Sequence, residues 1–128
     1  MRALSVRQPW AWAIIYGDKR VENRNWKNQY TIGRIAIHAG LGDDGFDDYP
    51  KRKKRPKPHE LVYGAIIGVV EIVDVVTTHR SVWFEGQYGW VLRNPRPLRT
   101  PIKCIGKLGL WELSSKHANQ VSRELRMT

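Results

Sequence analysis

The spacing of apolar and polar positions changes several times along this chain, and each change marks an element. Ala3 to Val6 is a short apolar stretch that predicts a first strand. Arg7-Gln8-Pro9 leads into Trp10-Ala11-Trp12-Ala13-Ile14-Ile15-Tyr16, a helix opened by proline and closed by Gly17. Positions two apart on a helix point about 200° apart, so Trp10 and Trp12 cannot both face one core, and one of them is expected to line another surface. Lys19 to Arg24 is polar and extended, and Gly33 to His38 returns to the alternation of a half-buried strand. Ala65 to Val76 is a long strand rich in β-branched residues, in which Gly68 permits a bend.

Tyr88 to Leu92 and Leu108 to Leu113 supply two more strands. The prolines between them, Pro95, Pro97 and Pro101, are expected to keep that connection extended and out of any central ladder. After Leu113, Ser114 or Ser115 caps a predicted helix over 114–126, with Ala118, Val121 and Leu125 on one face. The order of strand, helix, then mostly strands with a helix appended predicts an α+β or β-barrel layout rather than a doubly wound sheet.

Composition narrows this further. A length of 128 residues suits one domain spanning 1–128, and 41% hydrophobic with 27% charged residues is the balance of a globular protein, with no apolar run long enough to span a membrane. A cytoplasmic address is expected. Cys104 is the single cysteine and the four histidines lie far apart, so neither a disulfide nor a metal site is expected, and no cofactor is called for.

The net charge of +10 favours polyanionic partners. Six of those charges lie in Lys51-Arg52-Lys53-Lys54-Arg55-Pro56-Lys57, and removing them leaves the remainder at +4. The stretch from Gly40 to Glu60, with Asp43, Asp44, Asp47 and Asp48 ahead of the basic run and prolines interspersed, reads as a flexible charged insertion loop.

Two strings carry a resemblance: Leu4-Ser5-Val6-Arg7-Gln8-Pro9-Trp10, and Gly17-Asp18-Lys19-Arg20-Val21-Glu22-Asn23-Arg24, a G-x-K-x-x-E-x-R pattern. With Ile35 to Ala39, Tyr63 to Val70 and Trp90 to Arg96 in the same register, the chain resembles the ASCH (activating signal cointegrator homology) family up to about Leu113. The resemblance implies a small PUA-like β-barrel with a helix after the first strand, and a cleft that binds RNA or a modified nucleotide. Some similar proteins hydrolyse acetylated cytidine and others are credited with ribonuclease activity. Where the acetylcytidine hydrolases carry threonine, this chain has Glu22.

The candidate residues follow. Lys19 and Arg24 offer positive charge at a cleft mouth, Arg for a bidentate grip on phosphate and Lys as a point charge or nucleophile. Glu22 is a candidate general base or a brace for the two cations, and bringing all three together needs a turn near Gly17 to Lys19. A downstream acid falls to Glu71 or Glu85, with Glu85 preferred because it lies in a loop. Trp10 could stack on a base while Gln8 reads its edge, beside Arg7 and Pro9. His38, Arg93, Asn94 and Arg96 complete the binding candidates at strand ends. The expected partner is RNA, single-stranded nucleic acid or a modified nucleoside, bound by a monomer or homodimer through a basic, aromatic-lined cleft. The alternative is a hydrolase of the acetylcytidine type or a ribonuclease.

Overall fold

A computed structural model describes residues 1–26 and 32–127. Six strands form one sheet: β1 (Arg2–Gln8), β2 (Val21–Arg24), β3 (Gly33–Asp43), β4 (Ala65–Val76), β5 (Tyr88–Lys103) and β6 (Leu110–Glu112). Their order across the sheet is β2-β5-β4-β3-β1-β6, and only β1 and β3 run parallel. Two helices, α1 (Trp10–Ile15) and α2 (Ser115–Arg126), complete the domain. None of the described helices is long and apolar enough to cross a membrane.

The continuous apolar run of β4 reflects burial on both faces, which removes the need for alternation. Leu4, Ile35, Ile37, Val70 and Ile72 pack with Ala11, Ile14 and Ile15 of α1. Ala3, Ala36, Ile66 and Val69 pack on the other face with Val121 and Leu125 of α2. Within β4 the sequence gap from Ile67 to Val70 is odd, yet both reach the α1 side. One extra residue in β4 accounts for this: against β3, Gly68 pairs with Ile37 and Ile66 with His38, so Ile67 has no partner of its own in that register. Gly68 is required there by space: a Cβ would stand 2.7 Å from the Arg96 carbonyl oxygen and 2.7 Å from Ile15 Cδ1.

The described strands make an open sheet, with no ladder joining β2 to β6. It curls nonetheless. Arg24 on β2 donates to the Ser5 carbonyl on β1 at 3.0 Å, although four strand boundaries separate them in the sheet order.

A second expectation is corrected at the prolines. The connection through Pro95, Pro97 and Pro101 is part of β5 and pairs with β4 along the ladder, Pro97 standing opposite Gly68. Proline is accommodated because β2 pairs only with Tyr88 to Val91. Beyond that point β5 has a free edge, where a missing N–H costs no ladder bond.

Ser114 caps α2, its Oγ accepting from the His117 N–H at 3.1 Å. The Gly40 to Glu60 stretch begins inside β3 and ends in a single 3-10 turn, Pro58–Glu60. Tyr49 and Pro56 are buried, and the Tyr49 hydroxyl donates to the Lys54 carbonyl at 2.7 Å.

Gly68→Ala is expected to cost about 1–3 kcal/mol, because neither the Arg96 backbone nor the packed Ile15 can yield without disturbing the core. Urea unfolding measures it, and a change below about 0.5 kcal/mol would mean that the bulge absorbs a methyl group.

Candidate functional site

The curl leaves a seam between β1 and β2, and a cavity of about 490 Å³ lies along it. β1 supplies Ser5, Val6 and Arg7, while β2 supplies Glu22, Asn23 and Arg24. Trp10 of α1 closes one end. Asp44, Asp48 and Pro50 from one loop and Trp83 and Glu85 from another form the rim.

At the floor are three charged groups. α1 ends at Ile15 with Tyr16 as its C-cap, and Arg20 holds this end, its guanidinium donating to the Ile14 carbonyl and, beyond the helix, to the Gly17 carbonyl at 3.1 Å each. The turn through Gly17 and Asp18 then drops Lys19 beneath the helix, its N–H bonded to the Ala13 carbonyl at 3.1 Å. Lys19 is 2% exposed and Glu22 6%. Lys19 Nζ donates to Glu22 Oε1 at 3.0 Å and to the Val21 carbonyl, and Arg24 donates to Glu22 Oε2 at 2.8 Å.

This is the turn the sequence requires, and it places Lys19 at the floor rather than the mouth. Burial alone would raise the pKa of the Glu22 carboxyl. The charges and hydrogen bonds of Lys19 and Arg24 outweigh it and hold the group below its ordinary value.

Trp12 is buried and Trp10 lines the cavity, but both border the same cluster with Tyr49 and Trp83, so the expected separation of the two rings holds only in part. Trp10 is less available than a free platform. Its ring stacks on Tyr49 at 5.8 Å between centroids, and its indole N–H donates to Asp44 Oδ2 at 2.9 Å. Arg7 is likewise engaged, with Nε 2.5 Å from Asp44 Oδ1. Glu85 stands exposed on the rim, its loop pinned by Asn23, which accepts from the Glu85 N–H at 3.0 Å and donates to the Trp83 carbonyl at 2.8 Å. Glu71 lies elsewhere, against Arg93 and Asn94.

The remaining candidates are not brought to the cavity. Gln8 is buried, its amide spent on the Val62 carbonyl and the Trp12 N–H at 2.9 Å each. Pro9 is buried at the start of α1. His38 bonds the Cys104 carbonyl at 2.9 Å and lines a different depression. Arg93 and Asn94 are exposed beside Glu71, and Arg96 donates to the Leu125 carbonyl of α2 at 2.9 Å.

Asp44, Asp48, Asn23 and Trp83 join the site without having been singled out by the sequence. The aspartates stand in a run that reads as loop solubility, and no sequence signal separates Asp44 and Asp48 from Asp43 and Asp47. The expected basic lining is also revised. Three cations, Arg7, Lys19 and Arg24, meet four carboxylates, Glu22, Asp44, Asp48 and Glu85. The concentrated positive charge lies just outside, where Pro50 on the rim runs into Lys51 to Arg55 and Lys53 Nζ reaches Asp18 Oδ2 at 2.5 Å.

The sequence model of the ASCH domain matches residues 4–101, about three quarters of the chain. The chain belongs to the ASCH domain family. Among curated proteins it is similar to Activating signal cointegrator 1 of Homo sapiens, 26% identical across 88% of this chain and 22% of that protein. The Mus musculus counterpart is 25% identical over the same shares. The chain thus spans about a fifth of the length of those relatives. Among solved structures, ASCH from Zymomonas mobilis superposes with a TM-score of 0.59 at 18% identity, covering 95% of this chain and 93% of that one. That likeness shows the ASCH fold alone.

The charged cluster predicts an acid dependence. Glu22 ionises more readily in the fold than in the unfolded chain, so its contribution to stability is full above the ordinary glutamate value of 4.5 and is lost as the pH falls through the lowered folded value. Glu22→Gln should flatten the fall in unfolding free energy between about pH 5 and pH 3. Glu22→Ala, which leaves Lys19 buried without its counter-ion, should cost about 3–5 kcal/mol at neutral pH. Urea titrations across pH test both, and an acid slope unchanged in Glu22→Gln would locate the held carboxylate elsewhere.

Proposed function

We propose that this ASCH domain binds single-stranded RNA or a nucleotide, with one nucleoside in the seam cavity and flanking phosphates on the basic segment Lys51 to Lys57. The observation that carries this reading is the division of charge. A cavity whose carboxylates outnumber its cations is a poor seat for a phosphate but offers acceptors to the amines of a base. The adjoining run of six cations supplies phosphate contacts, and its start directly after Pro50 on the rim puts both within reach of one strand. The volume is in the range of about 300–1,000 Å³ usual for small-ligand sites. Trp83 and the half-buried Trp10 give the cavity aromatic walls, and Arg24, 20% exposed at its side chain, is the floor cation able to reach a ligand.

The hydrolase alternative is favoured by the Lys19 to Glu22 pair inside a cavity. Against it, both Glu22 oxygens are engaged and its pKa is held low, which suits a fixed anion and not a base. Acetate released from acetylated cytidine by the wild type, and not by folded Lys19→Arg, would establish hydrolysis.

Binding of a short single-stranded RNA, followed by fluorescence anisotropy over a series of salt concentrations, tests the main reading. Replacing Lys51, Arg52 and Lys54 by glutamine should reduce the steepness of the salt dependence by about 0.7 for each phosphate left without its cation. Arg24→Lys should weaken binding at every salt concentration with little change of slope. Wild-type behaviour in both variants would overturn the placement.

A further inference from the structure

Behind the seam, on the other side of Ser5, lies a second depression of about 500 Å³. Its walls are Leu41 of β3, Tyr63 and Gly64 before β4, and the turn Cys104 to Leu108 that links β5 to β6. Three aliphatic side chains around it stand almost wholly in solvent: Leu41 at 84%, Ile105 at 92% and Leu108 at 97% exposure. Folding gains nothing from exposing them, and their convergence on one hollow marks a contact surface.

Charge says what kind of partner fits. Lys103 and Lys107 line the hollow, and neither forms an ion pair with a described residue. No carboxylate lines it. Asp43, which reaches Tyr63 on the rim, is taken up by that hydroxyl and by the Gly45 N–H. The floor is held by His38, whose Nε2 must carry a proton to bond the Cys104 carbonyl. In the neutral ring Nδ1 is then an acceptor, and it is buried with no partner among the described residues. Gly106 presses on that ring so closely that a Cβ would stand 2.6 Å from Nδ1.

From these features we infer that the hollow is a docking site for an acidic, apolar peptide segment of a partner protein: leucine-like side chains enter between Leu41, Ile105 and Leu108, and carboxylates meet Lys103 and Lys107. A second copy of this chain is disfavoured, since each copy carries a net +10 and would oppose lysine to lysine. A nucleic-acid strand finds aliphatic walls here, with little for a base edge to bond. The site stands independently of the RNA reading, because its side chains are not those of the seam apart from Ser5.

The test uses the full chain, labelled for NMR, titrated with a short synthetic Leu-Glu peptide, a Leu-Lys peptide of equal length and a Ser-Glu peptide. The Leu-Glu peptide should shift the amides of Lys103 to Leu108 and the ring signals of His38 at micromolar to low millimolar concentration, while the other two do not. Ile105→Ser with Leu108→Ser should weaken that binding about tenfold or more, as should Lys103→Gln with Lys107→Gln. All four positions are exposed, so these variants keep the fold, and RNA binding at the seam should stay at the wild-type level. Equal binding of the Leu-Lys peptide, insensitivity to the serine variants, displacement of the peptide by RNA, or concentration-dependent dimerisation abolished by the serine variants would each overturn the proposal.

Discussion

The seam is held by one buried carboxylate. Glu22 takes Lys19 on one oxygen and Arg24 on the other, and Arg24 passes the connection to the Ser5 carbonyl. That chain of contacts ties the exit of α1, the edge strand β2 and the distant strand β1 across a gap that no ladder bridges. Twist alone brings the ends of a curled sheet near each other, but it does not fix their separation. Here a guanidinium spans the gap and sets it. Because β1 and β2 meet through side chains and not through a backbone ladder, a cavity persists between them, and the residues that hold it open also floor it.

Much of the frame is legible in the sequence because it rests on local rules. The β-branched run of β4 and the apolar face and serine cap of α2 each depend on spacing along a few residues. The G-x-K-x-x-E-x-R string foretells the cluster, since Glu22 and Arg24 lie on one face of a strand and the turn before Lys19 supplies the rest. What escapes depends on partners distant in sequence. Gln8 looks like an edge reader until Val62 and the Trp12 amide are seen to consume it. His38 and Arg96 sit at plausible strand ends, but the sheet order turns them toward Cys104 and α2. The prolines of β5 look unfit for a ladder because the early end of β2, which frees that edge, is not written locally.

Charge count and charge placement diverge in this molecule. The sequence is strongly basic, yet the cavity lining is not, because Asp44 and Asp48 line the seam while the cations that follow Pro50 stay outside it. The aromatic cluster of Tyr49, Trp10 and Trp83 makes that arrangement, with Tyr49 anchoring the charged stretch against the cavity wall. Composition alone would place a phosphate in the cleft. On the proposed RNA reading, the positions of the carboxylates favour the base inside and the phosphates outside.

Ser5 is the wall common to the seam and the hollow behind it. Its carbonyl accepts from Arg24 on the seam side. Its hydroxyl donates to the Lys107 carbonyl at 2.5 Å and accepts from Trp111 Nε1 at 3.1 Å on the other. With its carbonyl and hydroxyl engaged in three hydrogen bonds, Ser5 is held from both sides, so the two cavities stay separate instead of merging into one long groove. The same bonds mean that a ligand moving the Lys107 turn pulls on the strand that carries the Arg24 contact. Among the described residues Ser5 is the one position lining both, which makes β1 at this residue a direct path between the two surfaces.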